Sequence, residues 1–316
     1  MAHAGVSVEV SQRLILGLGL NDIAAGQLMA RYRVLRGSEA ELPPGVEEAE
    51  GIAVMGGGVS GATLERCPKA KIVCTFGVGY DKVDLAACRE RGVTLAHAAG
   101  MTDGCVADMA FALLLAARRE LILGDRFVRA GLWGPAARPL AQRVWGHKLG
   151  IYGMGRIGAT IARRAAGFDM EVGYHNRSPR ADSAARYFQT LGDLAAWADF
   201  LIVACPASPA TQNTVDRAVL RKLGAGGVLV NIARGTIVNE PDLIAALEAG
   251  EIASAGLDVF AGEPAVPDAL KISDRTVLMP HRAGGTVETW DDCGRHMVAN
   301  FDAFFQTGRP LTPVAF

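Results

Sequence analysis

The chain lacks the features that mark membrane, disulfide-rich and nucleic-acid-binding proteins. Its 316 residues contain no apolar run near the length of about 18 residues that a membrane-spanning helix needs. The 32 basic and 33 acidic side chains leave a formal net charge of −1, so no electrostatic feature indicates a nucleic-acid partner. The six cysteines form no CxxC pair, so no metal site is predicted, and scattered reduced thiols are typical of a cytoplasmic protein.

The order of predicted elements indicates an α/β protein. Half of the residues are hydrophobic, 21% are charged, and the length suits about two domains with a full core each. Apolar strands alternate with helices, which predicts parallel sheets covered by helices on both faces. We predict strands at residues 13–18, 51–55, 70–75, 200–204, 227–232, 253–257 and 276–279, and helices at residues 22–32, 84–91, 217–223, 241–249 and 287–305. A longer helical segment covers residues 102–130, with Gly124 as the point at which it would divide.

One stretch, residues 148–178, has the order of strand, glycine-rich turn, helix and strand that binds a dinucleotide. It reads KLGIYGMGRIGATIARRAAGFDMEVGYHNRS. In such a unit Gly153 permits the tight turn, Gly155 lets the backbone approach a pyrophosphate, and Gly158 lets the helix pack against the sheet. The helix N-terminus favours the anion through its free N–H groups and its dipole. Glycines also serve ordinary turns, but the flanking strand and helix favour the cofactor, and the candidate binding residues are Gly153, Met154, Gly155, Arg156, Ile157 and Gly158.

The end of the second strand in this stretch indicates which dinucleotide is bound. An NAD site usually places a carboxylate there for the ribose hydroxyls, whereas a nearby Arg suits a 2′-phosphate. The strand ends in Asn176, Arg177 and Ser178, with Arg180 following and no acidic residue at the expected place. We therefore predict that NADP(H) is preferred over NAD(H). The alternative is a solvated loop whose basic residues bind nothing specific.

Two glycine-rich turns follow strands in the N-terminal part of the chain, MGGGVS at residues 55–60 and FGVGYD at residues 76–81. Ligands of open α/β sheets bind at the carboxyl ends of the strands. The backbone N–H groups of Val78 and Gly79 are therefore candidates to receive a substrate carboxylate. Ordinary βα turns are the alternative for both segments.

Three ionisable residues, Arg234, Glu263 and His281, follow later strands in the segments NIARGT, LDVFAGEP and MPHRAGGT. A His can donate a proton, a neighbouring carboxylate can orient it, and an Arg can bind a carboxylate in a bidentate manner. The reduction of a 2-oxo acid needs all three functions. Taken singly, each residue could instead be a solvated, packed or turn residue.

The glycine turn GMGRIG, the segment NIARGTIVNEPDLIAALEAGEIASAGLDVFAGEP and the segment LMPHRAGGT together resemble the D-isomer-specific 2-hydroxyacid dehydrogenase family. The segments KIVCTFGVGYDKVDL and TDGCVADMAFALLLAARR extend the resemblance to most of the chain. Within the family the sequence is most similar to the NADPH-dependent glyoxylate/hydroxypyruvate and hydroxyphenylpyruvate reductases, whose second strand also ends in an Arg-Ser pair.

The resemblance implies two Rossmann-like domains with a cleft between them. A discontinuous, flavodoxin-like substrate-binding domain is expected at residues 1–99 and 288–316, and a dinucleotide-binding domain at residues 100–287. His281 corresponds to the general acid, Glu263 to its partner, Arg234 to the anchor of the substrate, and Asp258 to a contact of the nicotinamide carboxamide. Val78 and Gly79 match the carboxylate cradle, and further cofactor contacts are expected at Cys205, Pro206, Thr211, Ile232 and His281. Homodimers are usual in the family, with residues 102–119 in the interface.

The expected reaction is therefore hydride transfer from NADPH to a small 2-oxo acid resembling glyoxylate or hydroxypyruvate, with His281 as the proton donor and a D-2-hydroxy acid as the product. A 2-oxo sugar acid or a phenylpyruvate is an alternative substrate. A different class also stays open, because some proteins of this fold are corepressors that sense the dinucleotide and bind partner peptides. Neither a nucleic acid nor a membrane is an expected partner.

Overall fold

A computed structural model describes residues 10–316 of the chain. The described chain divides into two compact units, one formed by residues 10–102 and 286–316 and the other by Asp103–Gly285. Each unit has its own parallel sheet and its own apolar core on the two faces of that sheet. Within the described part of the chain, no helix is long and apolar enough to cross a membrane.

The first unit is built on a five-stranded sheet. Its strand order is β2-β1-β3-β4-β5, with all neighbouring strands parallel. This order is that of flavodoxin-like folds. Its elements are β1 (Ser11–Leu18), α1 (Asp22–Met29), β2 (Tyr32–Gly37), β3 (Gly51–Val54), α2 (Gly61–Arg66), β4 (Ile72–Thr75), α3 (Leu85–Glu90), β5 (Thr94–Ala96) and the C-terminal helix α11 (Val287–Thr307).

The second unit is built on a seven-stranded parallel sheet with the order β12-β11-β10-β9-β6-β7-β8. Counted from β6, this is the Rossmann order extended by one strand. Its helices are α4 (Asp103–Arg118), α5 (Leu121–Arg129), α6 (Arg156–Ala165), α7 (Leu191–Trp197), α8 (Arg217–Leu223), α9 (Glu240–Glu248) and α10 (Asp268–Ile272). Its strands are β6 (Lys148–Tyr152), β7 (Glu171–His175), β8 (Arg186–Tyr187), β9 (Phe200–Val203), β10 (Val228–Asn231), β11 (Ser254–Leu257) and β12 (Thr276–Leu278).

Local sequence explains most of these elements. The central strands are short apolar runs that are buried along their whole length, as parallel strands covered on both faces must be. Most helices begin after a residue whose side-chain oxygen accepts a hydrogen bond from a first-turn N–H, which satisfies a donor that lacks a helical partner. These N-cap residues are Asn21, Ser60, Asp84, Thr190, Asp216, Asn239 and Thr286.

The α/β fold predicted from the sequence is confirmed, but two predicted helices have other bounds. The helix predicted over residues 22–32 ends at Met29, because Tyr32 begins strand β2 beside β1. The segment predicted over residues 102–130 divides at Glu120, whose φ of 52° interrupts the helix, while Gly124 lies inside α5. Sequence patterns also missed β2, β8, α7 and α10, which are short or at the sheet edge.

Candidate active site

The candidate catalytic residues lie after three neighbouring strands of the second unit. Arg234 follows β10, Glu263 follows β11 and His281 follows β12. These strands are adjacent in the sheet, and all run parallel. The carboxyl ends of parallel strands meet at one edge, so the three residues share the edge at which the glycine turn after β6 also lies.

His281 and Glu263 form a hydrogen-bonded pair. The His281 Nδ1 lies 2.8 Å from the Glu263 Oε2. The second carboxylate oxygen of Glu263 accepts the N–H of Phe260 at 3.0 Å, so the carboxylate is fixed by its own turn. A carboxylate oxygen only accepts here, so Nδ1 carries the hydrogen and Nε2 is the ring nitrogen left to face a substrate.

The backbone of His281 is held independently of its side chain. His281 has a φ of 53°, a left-handed conformation that is uncommon for a residue with a Cβ. Its N–H donates to the carbonyl oxygen of Asp258 at 2.7 Å. The two carboxylate oxygens of Asp258 accept the N–H groups of Arg282 at 2.7 Å and Ala283 at 2.9 Å. Asp258 therefore secures the whole turn that carries the histidine.

Asp258 is fully buried, and this burial raises the pKa of its carboxyl group above the usual range. The two backbone N–H donors and the nearby His281 act in the opposite direction, because they favour the ionised form. The sequence motifs led us to expect that Asp258 contacts the cofactor. Its hydrogen bonds give it a further task, which is to fix the turn of the proposed proton donor.

Arg234 lies on a turn that packs against the turn of Glu263. Asn231, at the end of β10, donates from its side chain to the Arg234 carbonyl at 2.9 Å and accepts the Ala233 N–H at 3.1 Å. A Cβ on the next residue, Gly235, would lie 1.9 Å from the backbone carbonyl carbon of Phe260. Only glycine permits this approach, which brings the Arg234 turn to the backbone beside Glu263. The sequence pattern did not predict this positioning role of the buried Asn231.

The glycine turn has the geometry that a pyrophosphate needs. Gly153 has a φ of 107°, and a Cβ there would lie 2.4 Å from the backbone nitrogen of Cys205. A Cβ on Gly158 would lie 2.2 Å from the Gly153 carbonyl oxygen, whereas one on Gly155 would meet nothing within 4 Å. No side chain caps helix α6. The three glycines thus permit a turn, a close helix contact and an open approach to the helix N-terminus, and the residues present fit a dinucleotide.

The end of β7 is tied to the glycine turn. The Asn176 Oδ1 accepts the Met154 N–H at 2.7 Å, and the Arg180 Nη1 donates to the Met154 carbonyl oxygen at 2.9 Å. Arg180 also forms an ion pair with Asp182. Arg177 and Ser178 are exposed. The cations that follow β7 therefore include one that touches the glycine turn itself.

The other predicted cofactor residues lie along the same edge of the second unit. Cys205 is buried against Gly153, and burial raises the pKa of its thiol to about 12. Thr211 closes the turn after β9 by donating to the Pro206 carbonyl at 3.0 Å. Ile232 is buried at the end of β10. In the glycine turn, Ile157 packs on the core, and Arg156 donates to Asp103 at 3.1 Å.

Val78 and Gly79 belong to the first unit, where they follow strand β4. The Val78 carbonyl oxygen lies 2.9 Å from the His97 Nδ1. Among the hydrogen bonds of residues 10–316, none has the N–H of Val78 or of Gly79 as its donor. The turn therefore offers two backbone donors, as a carboxylate cradle requires.

A dinucleotide-binding sheet with an acid–base pair and an Arg on neighbouring strand ends defines an oxidoreductase that uses a nicotinamide cofactor. Comparison with known proteins identifies the family. The profile described as D-isomer specific 2-hydroxyacid dehydrogenase, NAD binding domain, matches residues 111–283. The chain belongs to the D-isomer specific 2-hydroxyacid dehydrogenase family, as its sequence motifs predicted.

Individual relatives agree with this assignment. The chain is 42% identical to a glyoxylate/hydroxypyruvate reductase A of Arabidopsis thaliana over 83% of this chain and 85% of that protein. It is also 42% identical to a hydroxyphenylpyruvate reductase of Plectranthus scutellarioides over 84% of this chain and 87% of that one. A similar solved structure is that of an NADPH-dependent glyoxylate/hydroxypyruvate reductase from Sinorhizobium meliloti in complex with NADP and malonate. The TM-score is 0.92 at 37% sequence identity, and the match covers 96% of this chain and 97% of that one.

Proposed function

We propose that this enzyme reduces a small 2-oxo acid of the glyoxylate or hydroxypyruvate type to the D-2-hydroxy acid with NADPH. The observation that carries the proposal is the His281–Glu263 pair, with 2.8 Å between Nδ1 and Oε2, on the same sheet edge as Arg234 and the glycine turn. The names of the similar reductases support the substrate class.

His281 is the proposed proton donor. Glu263 accepts the Nδ1–H and orients the ring, so that Nε2 is the nitrogen that delivers a proton to the carbonyl oxygen as this oxygen gains negative charge. Because the backbone turn of His281 is fixed by Asp258, the ring does not depend on the substrate for its position. His281, Ile232 and Asp258 are also proposed contacts of the cofactor.

Arg234 is the proposed anchor of the substrate in the second unit. A guanidinium offers a planar pair of N–H donors that matches a carboxylate and also polarises a neighbouring carbonyl. Asn231 fixes its main chain, which limits the entropy lost on binding. In the first unit, Val78 and Gly79 are the proposed backbone donors to the substrate carboxylate. We propose accordingly that the first unit is the substrate-binding domain, and that the second unit, which contributes Arg234, is the dinucleotide-binding domain.

The glycine turn and the residues after β7 are the proposed cofactor site, and a reduced nicotinamide supplies the hydride when bound. No acidic residue ends β7, and Asp182, the first carboxylate after it, is already paired with Arg180. The exposed Arg177 and Ser178 can therefore receive a 2′-phosphate, which supports a preference for NADP(H). The NADP complex of the Sinorhizobium reductase supports the same preference.

Spectrophotometric turnover with a panel of 2-oxo acids tests the proposal. We expect oxidation of NADPH with glyoxylate or hydroxypyruvate, and a larger kcat/KM with NADPH than with NADH. The His281→Ala variant should lose about 10²–10⁴-fold in kcat. A phenylpyruvate or a 2-oxo sugar acid as the best substrate would correct the substrate class. Tight NADPH binding without turnover of any 2-oxo acid would instead favour a dinucleotide sensor.

We also propose that the enzyme is a cytoplasmic homodimer. Half of the residues of α4 are buried inside the second unit, whereas α5 has no buried residue. A contiguous stretch of sequence from α5 onward exposes large apolar side chains, which are typical of a protein interface. These are Leu121, Ile122, Val128, Leu132, Trp133, Leu140 and Trp145. The six free thiols support a reducing compartment, and light scattering after gel filtration measures the oligomeric state.

A further inference from the structure

We infer that His97 is a positioning residue for the substrate carboxylate, because it orients the peptide group between Val78 and Gly79. This inference rests on the proposed function of the Val78–Gly79 turn as the carboxylate cradle. His97 lies in a different segment, directly after β5, and nothing in the motif FGVGYD points to it.

The contact acts through the geometry of the peptide bond. In a trans peptide the C=O of one residue and the N–H of the next point in opposite directions. The Val78 carbonyl oxygen can only accept, so the His97 Nδ1 at 2.9 Å must carry the hydrogen. The bond fixes the Val78 carbonyl on the side of His97 and therefore directs the Gly79 N–H to the opposite side.

The preceding peptide is held in the same way. The Gly77 carbonyl oxygen accepts the Ala98 N–H at 3.1 Å and the Thr75 hydroxyl at 2.9 Å. The Val78 N–H consequently also points away from the segment of His97 and Ala98. Two successive N–H groups that are turned away from the same segment form a concave pair of donors, which is the arrangement that binds an anion.

His97 itself is fixed by the C-terminal part of the first unit. Its N–H donates to the Thr312 carbonyl at 3.2 Å, and its carbonyl accepts the Thr312 hydroxyl at 2.5 Å. Thr312 is held in turn by the fully buried Asn300 of α11, whose Oδ1 accepts the Thr312 N–H at 3.0 Å. The His97 ring packs edge-on against the Tyr80 ring, with 5.4 Å between the two ring centroids. The imidazole thus starts from a fixed backbone, and its Nδ1–H donates to the cradle.

Two variants of His97 separate the hydrogen bond from the packing. His97→Phe keeps an aromatic ring beside Tyr80 but removes the donor, whereas His97→Asn places an amide N–H near the position of Nδ1. Loss of one neutral hydrogen bond should raise KM for the 2-oxo acid about 3- to 10-fold in His97→Phe. The carboxylate is bound alike in the ground state and the transition state, so kcat should change less than about twofold. His97→Asn should restore most of the wild-type KM.

A binding measurement makes the test independent of turnover. Calorimetric titration of the cofactor-free protein with oxalate should show the same loss of affinity in His97→Phe as the rise in KM. The Kd for NADPH, measured by its fluorescence, should not change. A merely structural role would instead lower the thermal stability and affect both ligands. A folded His97→Phe protein with the wild-type KM and oxalate affinity would overturn the inference, as would equal behaviour of the Phe and Asn variants.

Thr75→Val supplies a second route if His97→Phe does not fold. It removes the hydroxyl that holds the Gly77 carbonyl and should raise KM and the oxalate Kd in the same direction. Thr307→Val is the matched control, because Thr307 also donates to a backbone carbonyl, at 2.8 Å, but on the exposed end of α11. An unchanged KM in Thr75→Val would count against the inference. Absence of both turnover and oxalate binding in the wild-type protein would reject the proposed function instead.

Discussion

Replacement of Glu263 by Gln removes one negative charge from the proposed acid–base pair while the shape of the side chain is kept. His281 donates its Nδ1–H to the Glu263 carboxylate at 2.8 Å, and hydrogen bonds to charged groups contribute about 1.5–3 kcal/mol. The two side chains are 32% and 47% exposed, so solvent screening favours the lower part of that range. About 1.5–2 kcal/mol corresponds to a loss of about 10- to 30-fold in kcat.

The assay is the steady-state reduction of glyoxylate at saturating NADPH, with the Kd of NADPH measured separately. The matched control is Glu240→Gln, because the Glu240 carboxylate also accepts an N–H of this loop, that of Ala261 at 2.7 Å, but does not contact His281. We expect the control to retain wild-type kcat. If Glu263→Gln turned over within twofold of the wild type, the charge of Glu263 would have no part in proton delivery.

Three further outcomes are expected. Gly235→Ala should lower the free energy of unfolding in urea by about 3 kcal/mol, since its Cβ would lie 1.9 Å from backbone, whereas Gly262→Ala, with 3.8 Å to the nearest atom, should be tolerated. The hydrogen bond from Arg217 lowers the pKa of Glu251 from 4.5 to about 2, so its stabilising contribution is complete above pH 4.5 and is lost as the pH falls towards 2. Glu251→Gln should reduce this acid sensitivity in thermal melts. In Asp258→Asn, an NH2 group that donates replaces one of the two carboxylate oxygens that accept the N–H groups of Arg282 and Ala283. The kcat should therefore fall, and hydrogen exchange of these two backbone amides should accelerate.

The sequence predicted the fold well where a signal is local. Strands β3 and β9 are runs of four buried, uncharged residues, and the glycine turn after β6 needs only six consecutive residues to be recognised. Strand β2 was missed because its alternating pattern continues directly from the apolar helix α1. The break at Glu120 carries no glycine or proline, so nothing in the local sequence marks it.

The candidate site was predicted in part. Arg234, Glu263 and His281 were found because each lies in the segment after a strand, and parallel strands bring their carboxyl ends to one edge. The contacts through which other residues fix these groups could not be found in this way, although Asp258 and His97 each directly follow a strand. Asp258 reaches the turn of His281 over a separation of more than 20 residues, and His97 reaches Val78 over 19. Such contacts depend on the register of two strands, which no local pattern specifies.

Hydrogen bonds from side chains to backbone peptide groups position both the proposed proton donor and the proposed carboxylate cradle. In the second unit, the Asp258 carboxylate receives two successive N–H groups and so determines where His281 lies. In the first unit, His97 and Thr75 bind two successive carbonyls and so determine where the N–H groups of the cradle point. Because neither arrangement uses the groups proposed to meet the substrate, its loss should change affinity or rate without removing a reacting atom. Substrate affinity can therefore change through His97 or Thr75 while Arg234, Glu263 and His281 stay the same.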